Sequence, residues 1–326
     1  MNRPHALFIR VLMIALFATA LPGFVLPVAA ERPAVCPPTA QIPTAEESQA
    51  AMKTARDRGF LWRIRKDGRT SYLYGTLHVG KMDWLYPGPT LVNAVRASDV
   101  VAVELDMLDP LVMEQIQAGM MPKAGQALPA ALSARLRAQV DAACLPEQLL
   151  SSMSPEMLAV ALSVMSARDR GFDPAYAIDS VLAGMGHALG KTVSSLETPE
   201  SQLELLQGRT PQETQAFVEG VLTELETGKG RLLVTRIAQV WADGRFKELQ
   251  RYESWCDCLN TEYDRAVNKR MIDERNPVMA ARVDAMHAEG KTVFAAVGSL
   301  HMIGKLGLPV IMAQRGYAVE RVQLER

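Results

Sequence analysis

The chain has 326 residues, 48% of them hydrophobic, with 35 basic and 36 acidic side chains. That length can bury a large core in one or two domains. The near-zero charge balance, the lack of a basic run and an aromatic content of 6% argue against nucleic acid as a partner, because neither an electrostatic footprint nor a base-stacking surface is present.

Residues 1–30 read as a signal peptide. Arg3 and Arg10 give a positive start, residues 11–21 an apolar stretch, and Val28-Ala29-Ala30 a small-residue cleavage site. Pro22 and Pro27 break a helix there and favour removal over an N-terminal anchor. No later stretch approaches the roughly 20 apolar residues of a membrane span. A periplasmic or secreted protein with no stable span after cleavage is expected. The 4 cysteines, Cys36, Cys144, Cys256 and Cys258, allow two disulfides in an oxidising compartment. Cys256 and Cys258 are expected to pair outward with Cys36 and Cys144, because so short a spacing would strain a direct bond. A metal thiolate pair would need a second Cys-x-Cys, and none exists.

Residues 31–55, rich in Pro, Ala and Glu, read as a linker, and 56–326 as one domain. Apolar runs at 61–65 and 71–74 flank Lys66-Asp67-Gly68-Arg69, a hairpin signal. The second run leads into Gly75-Thr76-Leu77-His78. A glycine at a strand end allows a sharp turn and close approach of another group. A histidine three residues later can offer a ring nitrogen to a cation or act as acid or base. Residues 89–98 suggest a helix, and Val100-Val101-Ala102-Val103 a buried strand ending in Glu104. A continuous apolar strand has no other use for a carboxylate at its exit, so Glu104 is a second candidate.

From about 110 to 290 the pattern is mostly helical. Ser154-Pro155-Glu156 and Thr210-Pro211-Gln212-Glu213 carry a cap, a first-turn proline and a following acid. The methionines there, Met157 and Met165 among them, suit core filling better than a cofactor site. Gly184-Met185-Gly186-His187 repeats the Gly-x-x-His spacing inside a helical pattern with no strand before it, which marks His187 as a helix histidine. A strand at 192–196 ends at Glu197, which is expected to favour the N-terminus of the helix starting at Thr198-Pro199 rather than join a site. Residues 259–275 alternate charge like an exposed helix that stops near Asn276-Pro277. On its own, Arg275 there is a solvated surface charge. A strand at 291–297 then delivers Gly298-Ser299-Leu300-His301, and 318–322 closes as a final strand.

The fold class this implies is α/β (α+β): a central mixed sheet from N- and C-terminal strands with a large helical insertion. Ligands in such sheets sit outside the carboxyl ends of the strands. His78 and His301 are therefore expected to share one site beside Glu104.

Several blocks in this order resemble the TraB/GumN family. They are the Gly-Thr-x-His block at 72–79, Val103-Glu104-Leu105-Asp106, a middle block from Ile178-Asp179-Ser180 to Gly190-Lys191, and Leu196-Glu197-Thr198 with Gln202. Glu274-Arg275-Asn276 and the closing block 297–307 complete the match. Ser299 and Ala177 depart from the family pattern without removing a candidate ligand. The resemblance implies a metal-dependent, peptidase-like hydrolase acting on a peptide or small molecule. His78, His301 and Glu104 would hold the ion, with Glu104 and Arg275 catalytic. The donor set suits zinc, manganese or cobalt. Relatives of esterase type suggest a metal-independent hydrolase instead, and haem-binding relatives a non-enzymatic ligand or haem carrier in polysaccharide or haem handling.

Overall fold

A computed structural model describes residues 36–324 except 124 and 126. The proposed signal segment lies outside the described residues. Six strands form one mixed sheet: β1 Phe60–Lys66, β2 Arg69–Thr76, β3 Val100–Val103, β4 Thr192–Ser195, β5 Val293–Gly298 and β6 Ala318–Val322. Their order across the sheet is β4-β3-β5-β2-β1-β6.

The hairpin β1–β2 turns at Asp67 and Gly68, both at positive φ (50° and 73°), as a two-residue turn matched to strand twist requires. β6 adds antiparallel to β1. β2, β5, β3 and β4 run parallel to one another. β3 and β5 are buried almost throughout, which explains their unbroken apolar sequences: each is covered on both faces. One cover is the helix Ile178–Ala188, brought close to β3 and β4 at Gly186, where an added Cβ would stand 2.9 Å from Val193 and 3.0 Å from Val101. His187 lies on this helix with its ring half exposed.

The sheet's N- and C-terminal strands enclose the helical insertion, as the sequence pattern suggests. At its centre is Pro155–Val164, buried from Glu156 to Val164 and capped by Ser154. A helix apolar all round belongs inside. Around it pack Pro199–Leu206, Pro211–Thr227 and Lys229–Ala242. Ahead of β1, Ala45–Lys53 forms a helix with a complete Thr44–Glu47 capping box.

The disulfide pairing differs from the expected one: Cys36 bonds Cys144, and Cys256 bonds Cys258. Asp257 takes the left-handed conformation (φ 50°), turning the chain so that its two neighbours face each other with Cα atoms 5.1 Å apart. That separation is within the ordinary range for a bridge, and aspartate is among the residues that tolerate this conformation. Among the described residues, no helix is long and apolar enough to cross a membrane.

Candidate functional site

The four parallel strands end on one side of the sheet, and each delivers a polar side chain just beyond its last residue. Across the sheet these are Glu197 after β4, Glu104 after β3, His301 after β5 and His78 after β2. The strand order brings the four residues to one edge, in the register Val103 opposite Ala296 and Gly75 opposite Val297, and both histidine rings converge there on Glu104. Backbone bonds fix the exits: Glu197 N–H donates to the Glu104 carbonyl (3.0 Å) and Ile178 N–H to that of Leu77 (2.9 Å).

Glu104 is the hub. Its Oε1 accepts from the Gly298 backbone N–H at 2.7 Å and lies 3.9 Å from Nε2 of both His78 and His301. Its Oε2 accepts from Arg275 Nη2 at 2.5 Å and from Gln202 Nε2 at 3.4 Å. Gly298 lets the cluster close up: a Cβ there would stand a tight 3.2 Å from Glu104 Oε1 and 3.9 Å from His78 Nε2. All of these ionisable groups are buried, with 4% exposure at Glu104, 6% at His78 and 0% at His301.

The far nitrogen of each ring is also engaged. His78 Nδ1 meets Asp179 Oδ2 at 2.7 Å, and the Thr76 hydroxyl donates to the other oxygen of the same carboxylate. His301 Nδ1 meets Asn276 Oδ1 at 2.6 Å. Neither Nε2 atom has a hydrogen-bond partner, although both are buried. Polar atoms so placed are normally paired. A small cavity of about 20 Å3 lies against both rings, walled by Leu77, Leu300 and Ile237.

Arg275 is no surface charge. Its Nε donates to Glu197 Oε1 at 2.8 Å, Nη1 to the Met271 carbonyl at 3.0 Å, and Nη2 to both Glu104 and Glu197. Glu197 is correspondingly held within the cluster by Arg275 and Gln202 rather than serving the following helix, whose cap is Thr198. The sequence offered an acid one residue before a capped helix, a pattern that the helix alone explains; only the parallel pairing of β3 and β4 puts it beside Glu104. Asp179 and Asn276 likewise carry no site signal in the sequence. The first looks like an acid in a helix's first turn and the second like a turn residue before proline.

The charges interact strongly. Burial alone would raise the Glu104 carboxyl, but Arg275, His78 and the Gly298 N–H more than reverse this and hold it below its ordinary range. Burial would lower His78, yet Asp179 and then Glu104 outweigh it and the ring is shifted upward. His301 has no such carboxylate on its ring, so burial and the nearby Arg275 push it well down. The cluster sets three carboxyl groups, Glu104, Glu197 and Asp179, against the guanidinium of Arg275.

A divalent cation would suit this donor chemistry: two buried, unpartnered imidazole nitrogens beside a carboxylate. Among the described residues, however, no group of three or more His, Cys, Asp or Glu side chains stands at ready metal-ligand spacing.

Comparison with known proteins places the chain. It is 23% identical over 324 residues to a zebrafish (Danio rerio) protein named Metalloprotease TIKI2, covering 80% of this chain. The match spans 60% of that relative's length, so the chain corresponds to about three fifths of it. No solved structure matches. The TraB/PrgY/gumN family model matches residues 60–321, which takes in five strands whole, all but the last residue of β6 and every side chain of the cluster around Glu104, and the chain belongs to that family.

Proposed function

We propose that the chain is a hydrolase of the cell envelope whose site binds a divalent cation through His78, His301 and Glu104. The supporting observation is the pair of buried, unpartnered Nε2 atoms, each 3.9 Å from the same oxygen of Glu104. A divalent ion in such a site lowers the pKa of a bound water and polarises a substrate carbonyl. The chain's own residues prepare the site for it. Asp179 and Asn276 orient the rings, and Gly298 and Arg275 hold Glu104 ionised and in place. Arg275 has its fork turned to two carboxylates and a backbone carbonyl, so its role is to hold Glu104 and Glu197 rather than to receive an oxyanion or a peptide carboxylate. Zinc, manganese and cobalt all accept this donor set. The name of the zebrafish relative favours a peptide substrate, and the two disulfides favour an oxidising compartment, periplasmic or extracellular.

The His78–Asp179 pair supports a second reading. A ring held at 2.7 Å by a carboxylate is also equipped to take a proton from water without any ion. Metal analysis of protein purified without chelator, with peptide hydrolysis measured before and after chelation, separates the two. The metal reading expects about one ion per chain, absent from a His78→Ala/His301→Ala variant, and activity that chelation abolishes and metal restores. Hydrolysis that survives chelation would favour the second reading. No hydrolysis and no ion in either protein would sink both.

A further inference from the structure

Each candidate ring faces a partner that can only accept a proton from it. The side-chain nitrogen of Asn276 donates to the Leu306 carbonyl at 2.7 Å. A backbone carbonyl has no proton to give, so the amide nitrogen must face it, and Oδ1 is left facing His301 Nδ1. Asp179 reaches His78 Nδ1 with a carboxylate whose second oxygen already accepts from Thr76. Both rings therefore carry a proton on Nδ1 and turn a bare Nε2 towards Glu104. A free neutral imidazole in water prefers the opposite arrangement, which would aim a hydrogen into the site and leave no lone pair there.

We propose that Asp179 and Asn276 are positioning residues that hold His78 and His301 in the Nδ1–H form, so that both Nε2 lone pairs face the site before any ligand arrives. They act by different means. Asp179 is a buried acceptor fixed from within the sheet by Thr76. Asn276 is keyed to a carbonyl of the chain segment just after His301, at Leu306, a residue 41% exposed. The donor state of His301 is thus set from a surface segment, while that of His78 is set from the core. This assignment does not need a bound ion; only its use for cation binding rests on the function proposed above.

The test is long-range 1H–15N spectroscopy of the full chain, labelled at histidine, as purified and after chelation, in buffer alkaline enough to keep the rings neutral. His78→Gln and His301→Gln variants assign the signals. The expected result for the chelated wild type is an Nδ1–H ring at both positions. Asp179→Leu should move only the His78 signal to the Nε2–H form, and Asn276→Leu only that of His301. In calorimetric titration with zinc, each should weaken binding by about 10–100-fold, the usual effect of losing an outer-shell partner. An Nε2–H ring at either position in the chelated wild type would overturn the proposal, and that measurement stands even where a leucine variant fails to fold. Folded leucine variants that keep the Nδ1–H form would overturn it as well. Nδ1–H rings in a wild type that binds no zinc would uphold the positioning roles and remove the metal reading instead.

Discussion

His78 and His301 flank a single oxygen. Nε2 of each lies 3.9 Å from Oε1 of Glu104, although the two rings come from different strands and are held by chemically different partners. The symmetry of the bare nitrogens and the asymmetry of what lies behind them define the site.

Replacing Arg275 by Leu leaves Glu104 and Glu197 buried side by side without their shared cation. Breaking one side of a buried ion cluster typically destabilises by about 3–5 kcal/mol. The midpoint of urea unfolding should fall accordingly. An unchanged midpoint would mean that the two carboxylates become protonated or hydrated at little cost, and that Arg275 does not hold them.

Gly298→Ala tests the site with little change to the fold. The backbone φ of Gly298 is −49°, which alanine adopts freely, so the strain falls on the site instead. The new methyl would press on Glu104 Oε1 at 3.2 Å and rest in ordinary contact with His301 Cδ2 at 3.6 Å. Cation affinity and any hydrolytic activity should drop by about tenfold or more while the melting temperature shifts little. Full activity in this variant would show that Glu104 needs no fixed position.

Asp284 gathers three hydrogen-bond donors away from the site. It accepts from Lys66 (3.1 Å), Arg315 (3.1 Å) and the Tyr317 hydroxyl (2.9 Å), tying the β1–β2 turn to the C-terminal elements. Partial burial opposes ionisation, but these three bonds prevail and its pKa is lowered. A depressed folded-state pKa contributes stability above the unfolded value, about 3.9, and loses it as pH falls through the folded value. The gap in melting temperature between wild type and Asp284→Asn should therefore be constant near neutrality and close in acid below about pH 4. A gap that widens on acidification would refute this assignment.

The two disulfides should contribute unequally. Cys36–Cys144 closes a separation of 108 residues and Cys256–Cys258 one of 2. In the chain-entropy picture the first stabilises by roughly 4–5 kcal/mol and the second by about 1.5. Thermal unfolding of the double-serine variant of each pair, compared with wild type, measures the difference. Equal losses would show that the short bridge holds native structure by other means.

The sequence showed what local rules determine. The unbroken apolar runs of β3 and β5, the Asp67-Gly68 turn and the proline-started helices were legible because each depends on neighbouring residues alone. The convergence of His78, His301 and Glu104 followed from one further rule, that parallel strands share a carboxyl edge. Glu197 and Arg275 were harder. Both have adequate local explanations, a helix-flanking acid and a charge on a polar helix, and only sheet order and burial set those aside. The short disulfide was missed for a related reason. So short a spacing strains a bridge unless the residue between folds the chain back, as the left-handed Asp257 does.

The place of β5 has a consequence for how the molecule assembles. It lies between β2 and β3 in the sheet yet is made near the end of the chain, at Val293–Gly298. Until synthesis reaches it, the hairpin on one side and the β3–β4 pair on the other lack the strand that joins them, and each exposes an unpaired apolar edge. Long-range parallel pairing of this kind is slow and leaves edges open to aggregation. A nascent chain of this protein should accordingly depend on holding factors until its last segment is released.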